Sequence, residues 1–261
     1  MQRRRIAGLD TFLNTMNMML WPRFQAIIDM HIGSLKNATL LKVFPVKDLH
    51  PHYIVRRYAE FAASILALNQ GYDDTNVVYS LGRMRAELEV LCGKMASEFP
   101  IKKQGLTFWI NNIDLCLSIF NETSQLSWAA LEPERKYFEI LLSQRIQDFV
   151  VEELQPHMGS MLYFLNQSPQ AQRDAQSLDL IAQEFNGKWK SSLSDIADSI
   201  TSTFPNFQNG ARVLHITLTQ YVVNYRKFLA LMDEMSGKMR IAPVGIQNVL
   251  VEIKKFKSSF Q

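Results

Sequence analysis

Residues 75–99 read TNVVYSLGRMRAELEVLCGKMASEF, and their spacing decides the fold class. Apolar side chains fall at Val77, Leu81, Met84, Leu88, Leu91, Met95 and Phe99, in steps of four and three. That rhythm keeps one stripe on one side of an α-helix, facing a partner helix. Asp73, Asp74 and Thr75 precede the stripe and supply side-chain acceptors for the free amides of a first turn. Pro100 stops it, because the residue before a proline is pushed out of helical backbone.

The same period recurs on both sides. Leu9, Leu13, Met16, Leu20, Phe24 and Ile27 form a stripe through Pro22, where the missing amide predicts a kink or a helix restart. Tyr58, Phe61, Ala62, Ile65 and Leu68 follow Pro51 and end at Gly71. Leu106, Ile110, Ile113, Leu117 and Phe120 make another, then Phe138, Leu142, Ile146, Phe149 and Val150. A long stripe runs from Leu178 through Phe185, Trp189, Leu193, Ile196 and Ile200 to Phe204. Leu214, Leu218, Tyr221, Tyr225, Phe228 and Met232 follow, and Val249, Leu250, Ile253 and Phe256 close the series. No stretch shows the two-residue alternation of a strand. The expected fold is all-α: an elongated rod of stacked antiparallel helical bundles. The polar segment Asn121–Glu134 divides it into a first bundle at 1–125 and a second at 126–261, with 166–174 as the alternative boundary.

Composition narrows the function. With 47% hydrophobic and 20% charged residues the chain is globular in character. A net charge of +3 is too small for a concentrated basic face, so nucleic acid is not an expected partner. Two cysteines, Cys92 and Cys116, build neither a disulfide scaffold nor a four-thiolate zinc site, and a reducing compartment fits them. The apolar windows at 12–21 and 106–120 are short and interrupted by asparagines, so no membrane span is expected. Any membrane contact is peripheral.

Catalytic chemistry has no constellation to work with. The histidines His31, His50, His52, His157 and His215 show no metal-ligand spacing, and His50-Pro51-His52 reads as a surface turn. Glycines are scattered singly, without a phosphate-cradling loop. Glu152 and Glu153 are neighbours that point about 100° apart on a helix, and they read as a solvated face. The chain is therefore expected to be no enzyme and to need no cofactor or metal; an enzyme or ligand-binding protein with a buried pocket between helices is the alternative. Three features point to binding. Arg56 and Arg57 sit near Glu60 on one helix, where an arginine pair presents to a carboxylate or phosphate if it is not spent on the local glutamate. Lys254, Lys255 and Lys257 close the chain and either touch an anionic membrane or complement a helix end. Twelve methionines supply soft apolar surface, read mainly as core filling.

Several of these stretches occur in a recognisable order. Leu20-Trp21-Pro22-Arg23-Phe24 with Ile27 comes first, then Pro51-His52-Tyr53-Ile54-Val55-Arg56-Arg57-Tyr58-Ala59-Glu60-Phe61, then Ile110-Asn111-Asn112-Ile113-Asp114. Trp189-Lys190-Ser191-Ser192, the turn Phe204-x-Asn206-Phe207-x-Asn209-Gly210 and the run Val251–Lys257 follow. From about Leu9 to the end, the ordered set resembles the C-terminal part of the vacuolar protein sorting-associated protein 52 family, subunits of the GARP and EARP complexes. The resemblance implies a helical rod like those of exocyst and Golgi tethers of the CATCHR type. It also implies capture of endosome-derived vesicles at the trans-Golgi network, in retrograde transport. Other GARP or EARP subunits, a Rab-family GTPase and SNARE proteins are the implied partners. The implied location is cytosolic and peripheral on trans-Golgi network and endosome membranes. Family members are longer and carry an N-terminal coiled-coil region, so Met1 is expected to begin a C-terminal fragment or a short form. The resemblance assigns no catalytic residue.

Overall fold

The computed structural model describes residues 7–71, 74–167, 174–235 and 240–258, apart from the side chains of 7, 123–128, 257 and 258. Among these, every regular element is helical: α1 (Ala7–Lys36), α2 (Leu40–Val43), α3 (Tyr53–Asn69), α4 (Thr75–Ser97), α5 (Lys102–Leu165), α6 (Ala175–Thr203), α7 (Phe207–Glu234) and α8 (Ile246–Ser258). The all-α expectation holds. Helix starts follow the local chemistry: Asp74 accepts from the Asn76 amide at 2.9 Å, Asp174 from Gln176 at 3.2 Å and Asn206 from Gln208 at 3.1 Å. Asp73, Gly237 and most of the 166–174 segment lie outside the described residues. Gly71, at φ 81°, reverses the chain after α3 in backbone that a β-carbon disfavours.

α5 is not a straight rod. At about 1.5 Å per residue, a straight helix would hold Lys103 and Glu153 about 75 Å apart. Their charged atoms are instead 2.9 Å apart, and Lys102 reaches Glu152 at 2.6 Å. Arg145 lies 5.5 Å over the Trp109 ring, and the Phe120 and Phe138 rings are 5.8 Å apart. The two arms therefore lie antiparallel, and the chain doubles back between Phe120 and Phe138. This is the polar segment read as the boundary between two bundles; helical backbone lies on both sides of the reversal, and Pro133, which has no amide to donate, falls within it.

Around this hairpin the other helices form two groups. α3 and α4 pack on α5 and on each other, and α1 packs on α4. On the other side α6 and α7 pack on α5 and on each other, with α8 against both. The predicted stripes bury: Leu81, Met84, Leu88 and Leu91 on α4, Ile110 and Phe120 on α5, Leu193 and Ile200 on α6, Tyr221 and Phe228 on α7. Each such side chain contributes about 1.5–3 kcal/mol of transfer free energy. Aromatic pairs fix the angles; Phe185 stacks on Tyr225 at 4.1 Å, and the Tyr225 hydroxyl donates to the Val244 carbonyl at 2.5 Å.

Candidate docking surfaces

α1 departs from its predicted role. Its second half is anchored: Ile28 and Ile32 are buried, Asp29 pairs with Arg83 at 3.0 Å, and Ser80 donates to Gln25 at 3.4 Å. The helix passes Pro22 without restarting. Its first half is bare. Leu9, Phe12, Leu13, Met16, Met18, Met19 and Leu20 are all exposed, Phe12 at 61%, Met18 at 78% and Leu20 at 54%. The stripe expected to face a partner helix thus has no cover among the described residues over most of its length. Contiguous exposed apolar surface of this kind marks an interaction site in a folded protein.

The Arg56–Arg57–Glu60 group splits. Arg56 spends its charge on Glu60 one turn on, at 3.5 Å with both groups exposed. Arg57 points the other way, its guanidinium 5.5 Å over the Tyr53 ring. It lines a cleft of about 620 Å³ between the end of α1, α2 and the start of α3. His31 and Lys42 share that wall, and Leu35, Phe61 and Met84 form its apolar side. His31 and Lys42 were not singled out by sequence reasoning, because three separate elements bring them together. No carboxylate and no thiol lines the cleft.

The closing lysines are unequal as well. α8 buries Val249 and Ile253 and leaves Lys254 and Lys255 exposed. Lys255 pairs with Glu252 at 2.8 Å. The Lys257 side chain lies outside the described residues.

Buried polar groups serve the packing. His52 is half-buried and tied down on both ring nitrogens: its Nε2–H donates to the Val43 carbonyl at 2.8 Å and its Nδ1 accepts the Ile54 amide at 3.3 Å, capping α3. Its own amide donates to the Asn112 side-chain oxygen Oδ1 at 2.7 Å. Burial pulls its pKa below the usual histidine value. His50, by contrast, is exposed and pairs with Asp48. The Tyr58 hydroxyl donates to Glu134 at 2.5 Å, and Arg85 meets the other carboxylate oxygen at 2.6 Å while stacking 3.6 Å from the Tyr137 ring. Burial, then the Glu134 charge, pushes the Tyr58 pKa well up. Glu153, read as solvated, is 1% exposed and neutralised by Lys103. Cys92 and Cys116 are buried free thiols, and burial raises both pKa values, that of Cys92 to about 12. Among the described residues no group of three or more His, Cys, Asp or Glu is placed to hold a metal ion. None of the described helices is long and apolar enough to cross a membrane.

These features define a class: an all-helical bundle whose most conspicuous exposed feature is an apolar helix face. The chain belongs to the vacuolar protein sorting-associated protein 52 family, since the family described as "Vps52, C-terminal" matches residues 1–150. It is 34% identical to vacuolar protein sorting-associated protein 52 B of Arabidopsis thaliana over 100% of this chain and 38% of that protein. It is 30% identical to the Homo sapiens homologue over 99% of this chain and 37% of that protein. The Schizosaccharomyces pombe protein matches at 30% over 51% of this chain. The chain thus spans well under half the length of these relatives. No solved structure matches it.

Proposed function

We propose that this chain is a docking subunit of a multisubunit vesicle-tethering complex, a sorting protein that works by protein–protein contact and carries out no catalysis. Its route is retrograde transport from endosomes to the trans-Golgi network, within the GARP or EARP complex. Its partners are the other subunits of that complex, a Rab-family GTPase and SNARE proteins, and its membrane association is peripheral. Residues 1–125 and 126–261 act as two bundles sharing the α5 hairpin, one arm each, in an elongated body. The names of its relatives support the sorting role. The bare face of α1 is the observation that carries the docking mode.

The physical reason is direct. A helix leaving Phe12, Leu13, Met16 and Leu20 in water forgoes burial that an apolar partner helix provides, as in helix-in-groove and coiled-coil recognition. These four are 38–61% exposed, so burying the rest recovers about 1 kcal/mol each before association costs. The test is affinity purification of the protein from cells followed by mass spectrometry. Recovery of the other tether subunits with it, and their loss from a Phe12→Asp/Leu20→Asp variant with unchanged helical content, is the expected result. Equal recovery with both, or no tether subunit with either, overturns the proposal.

A further inference from the structure

We propose that the cleft between α1, α2 and α3 is a second docking site, separate from the α1 face, for a short partner segment carrying an apolar side chain beside Asp or Glu. This deepens the docking reading and rests on it.

Charge is the first argument. The charged and titratable side chains lining the cleft other than tyrosine are His31, Lys42 and Arg57, with no carboxylate among them. Neither Arg57 nor Lys42 forms an ion pair with any described residue, whereas nearby Arg56 and Arg83 are paired with Glu60 and Asp29. Arg57 is held over the Tyr53 ring and not by an anion, so its guanidinium edge is free to grip a carboxylate in two-pronged fashion. The first turn of α3 supplies Tyr53 and Ile54 to the wall and the next turn Arg57, so the positive end of that helix adds to the same sign. Carbonyls at the end of α1 oppose it, which places the anion toward the α3 side.

Shape and chemistry supply the second. Leu35, Val43, Ile54, Phe61 and Met84 give the cleft an apolar floor, and about 620 Å³ holds a few side chains, not a folded domain. The His31 and Phe61 rings, 5.8 Å apart, wall the apolar part. An apolar anchor seated on Phe61 and Met84 brings a neighbouring acidic residue to Arg57 and Lys42. A bare phosphate would leave that floor empty, so a peptide fits better than a lipid headgroup.

The experiment selects a random dodecapeptide display library on the folded full chain, then synthesises the enriched peptides with a fluorescent label. Expected are sequences with an apolar residue next to Asp or Glu, at least tenfold weaker binding to Arg57→Glu and to Lys42→Glu, and a shifted Met84 methyl resonance on peptide addition. Arg57→Gln, milder in charge, is expected to weaken binding severalfold and guards against a folding defect. Enriched peptides without acid, peptide affinity unchanged in Arg57→Glu, or no enrichment overturns the proposal. So does Arg57-dependent binding of phosphatidylserine vesicles that displaces the peptides, or light scattering that shows a dimer lost in Arg57→Glu. All three cleft variants keep α1 intact, so failure here leaves recovery of the tether subunits unchanged. Failure of the docking reading shows in that recovery.

Discussion

Replacing Glu134 by Gln removes one charge from the joint of α3, α4 and α5 while keeping its volume. Glu134 accepts from the Tyr58 hydroxyl and pairs with Arg85 at 2.6 Å, and the side chains are 9% and 22% exposed for Glu134 and Arg85. Gln still accepts from Tyr58, but its amide turns a donor toward the guanidinium. Removing one member of a well-buried pair costs about 3–5 kcal/mol. Arg85 keeps partial solvent, the Tyr137 ring and the Glu89 carboxylate at 4.0 Å, which lowers the expected cost to about 2–3 kcal/mol. Glu134→Leu also strands the Tyr58 hydroxyl and costs about 1 kcal/mol more. Urea unfolding followed by far-ultraviolet circular dichroism at neutral pH measures both, and a double-mutant cycle with Arg85→Met isolates the pair. Coupling of about 2 kcal/mol is expected. A cost for Glu134→Gln below about 0.5 kcal/mol, or additive behaviour with Arg85→Met, would refute the reasoning.

Acid acts through His52. Its folded pKa is depressed, so its contribution is fully present above the ordinary value of about 6.5 and is lost as pH falls below that toward the folded value. Protonation puts a hydrogen on the Nδ1 that accepts the Ile54 amide; the fall in urea midpoint between neutral pH and pH about 5 is expected to shrink in His52→Asn, which keeps a cap acceptor. At Gly105 an added β-carbon would lie 2.4 Å from the Ala96 carbonyl oxygen of α4, so Gly105→Ala is expected to cost about 1–2 kcal/mol despite its better helix propensity. Gly82→Ala meets nothing within 4 Å and is expected to stabilise by about 0.5–1 kcal/mol. Thermal melts of the two glycine variants moving in the same direction would contradict this pairing.

The stripes of α4, α6 and α7 were legible because each is buried by a neighbouring helix of the same chain, which a 3.6-residue period reports well. The α1 stripe has the same period and a different fate. Periodicity says that a face is apolar, not whether the cover comes from this chain or from another. Asn121–Glu134 was read from its missing stripe as a boundary between bundles; that the chain doubles back there shows only in contacts across it, such as Lys103 with Glu153. Glu153 was misread because its partner Lys103 lies fifty residues away in sequence and adjacent only across the hairpin. His52 was misread for a related reason: a histidine before a helix becomes a cap only when a carbonyl such as that of Val43 fixes its tautomer. The docking residues split along the same line, since Arg56 finds its glutamate within one turn while the surroundings of Arg57 depend on α1 and α2.

The doubled-back α5 has a mechanical consequence. Neither group of helices owns a complete wall, because each borrows the hairpin that the other also leans on. A pull delivered through the first half of α1 passes by way of α4 into α5, and from there into α6 and α7, without crossing a flexible linker. Load applied to α1 is therefore expected to spread over both groups of helices through their shared hairpin.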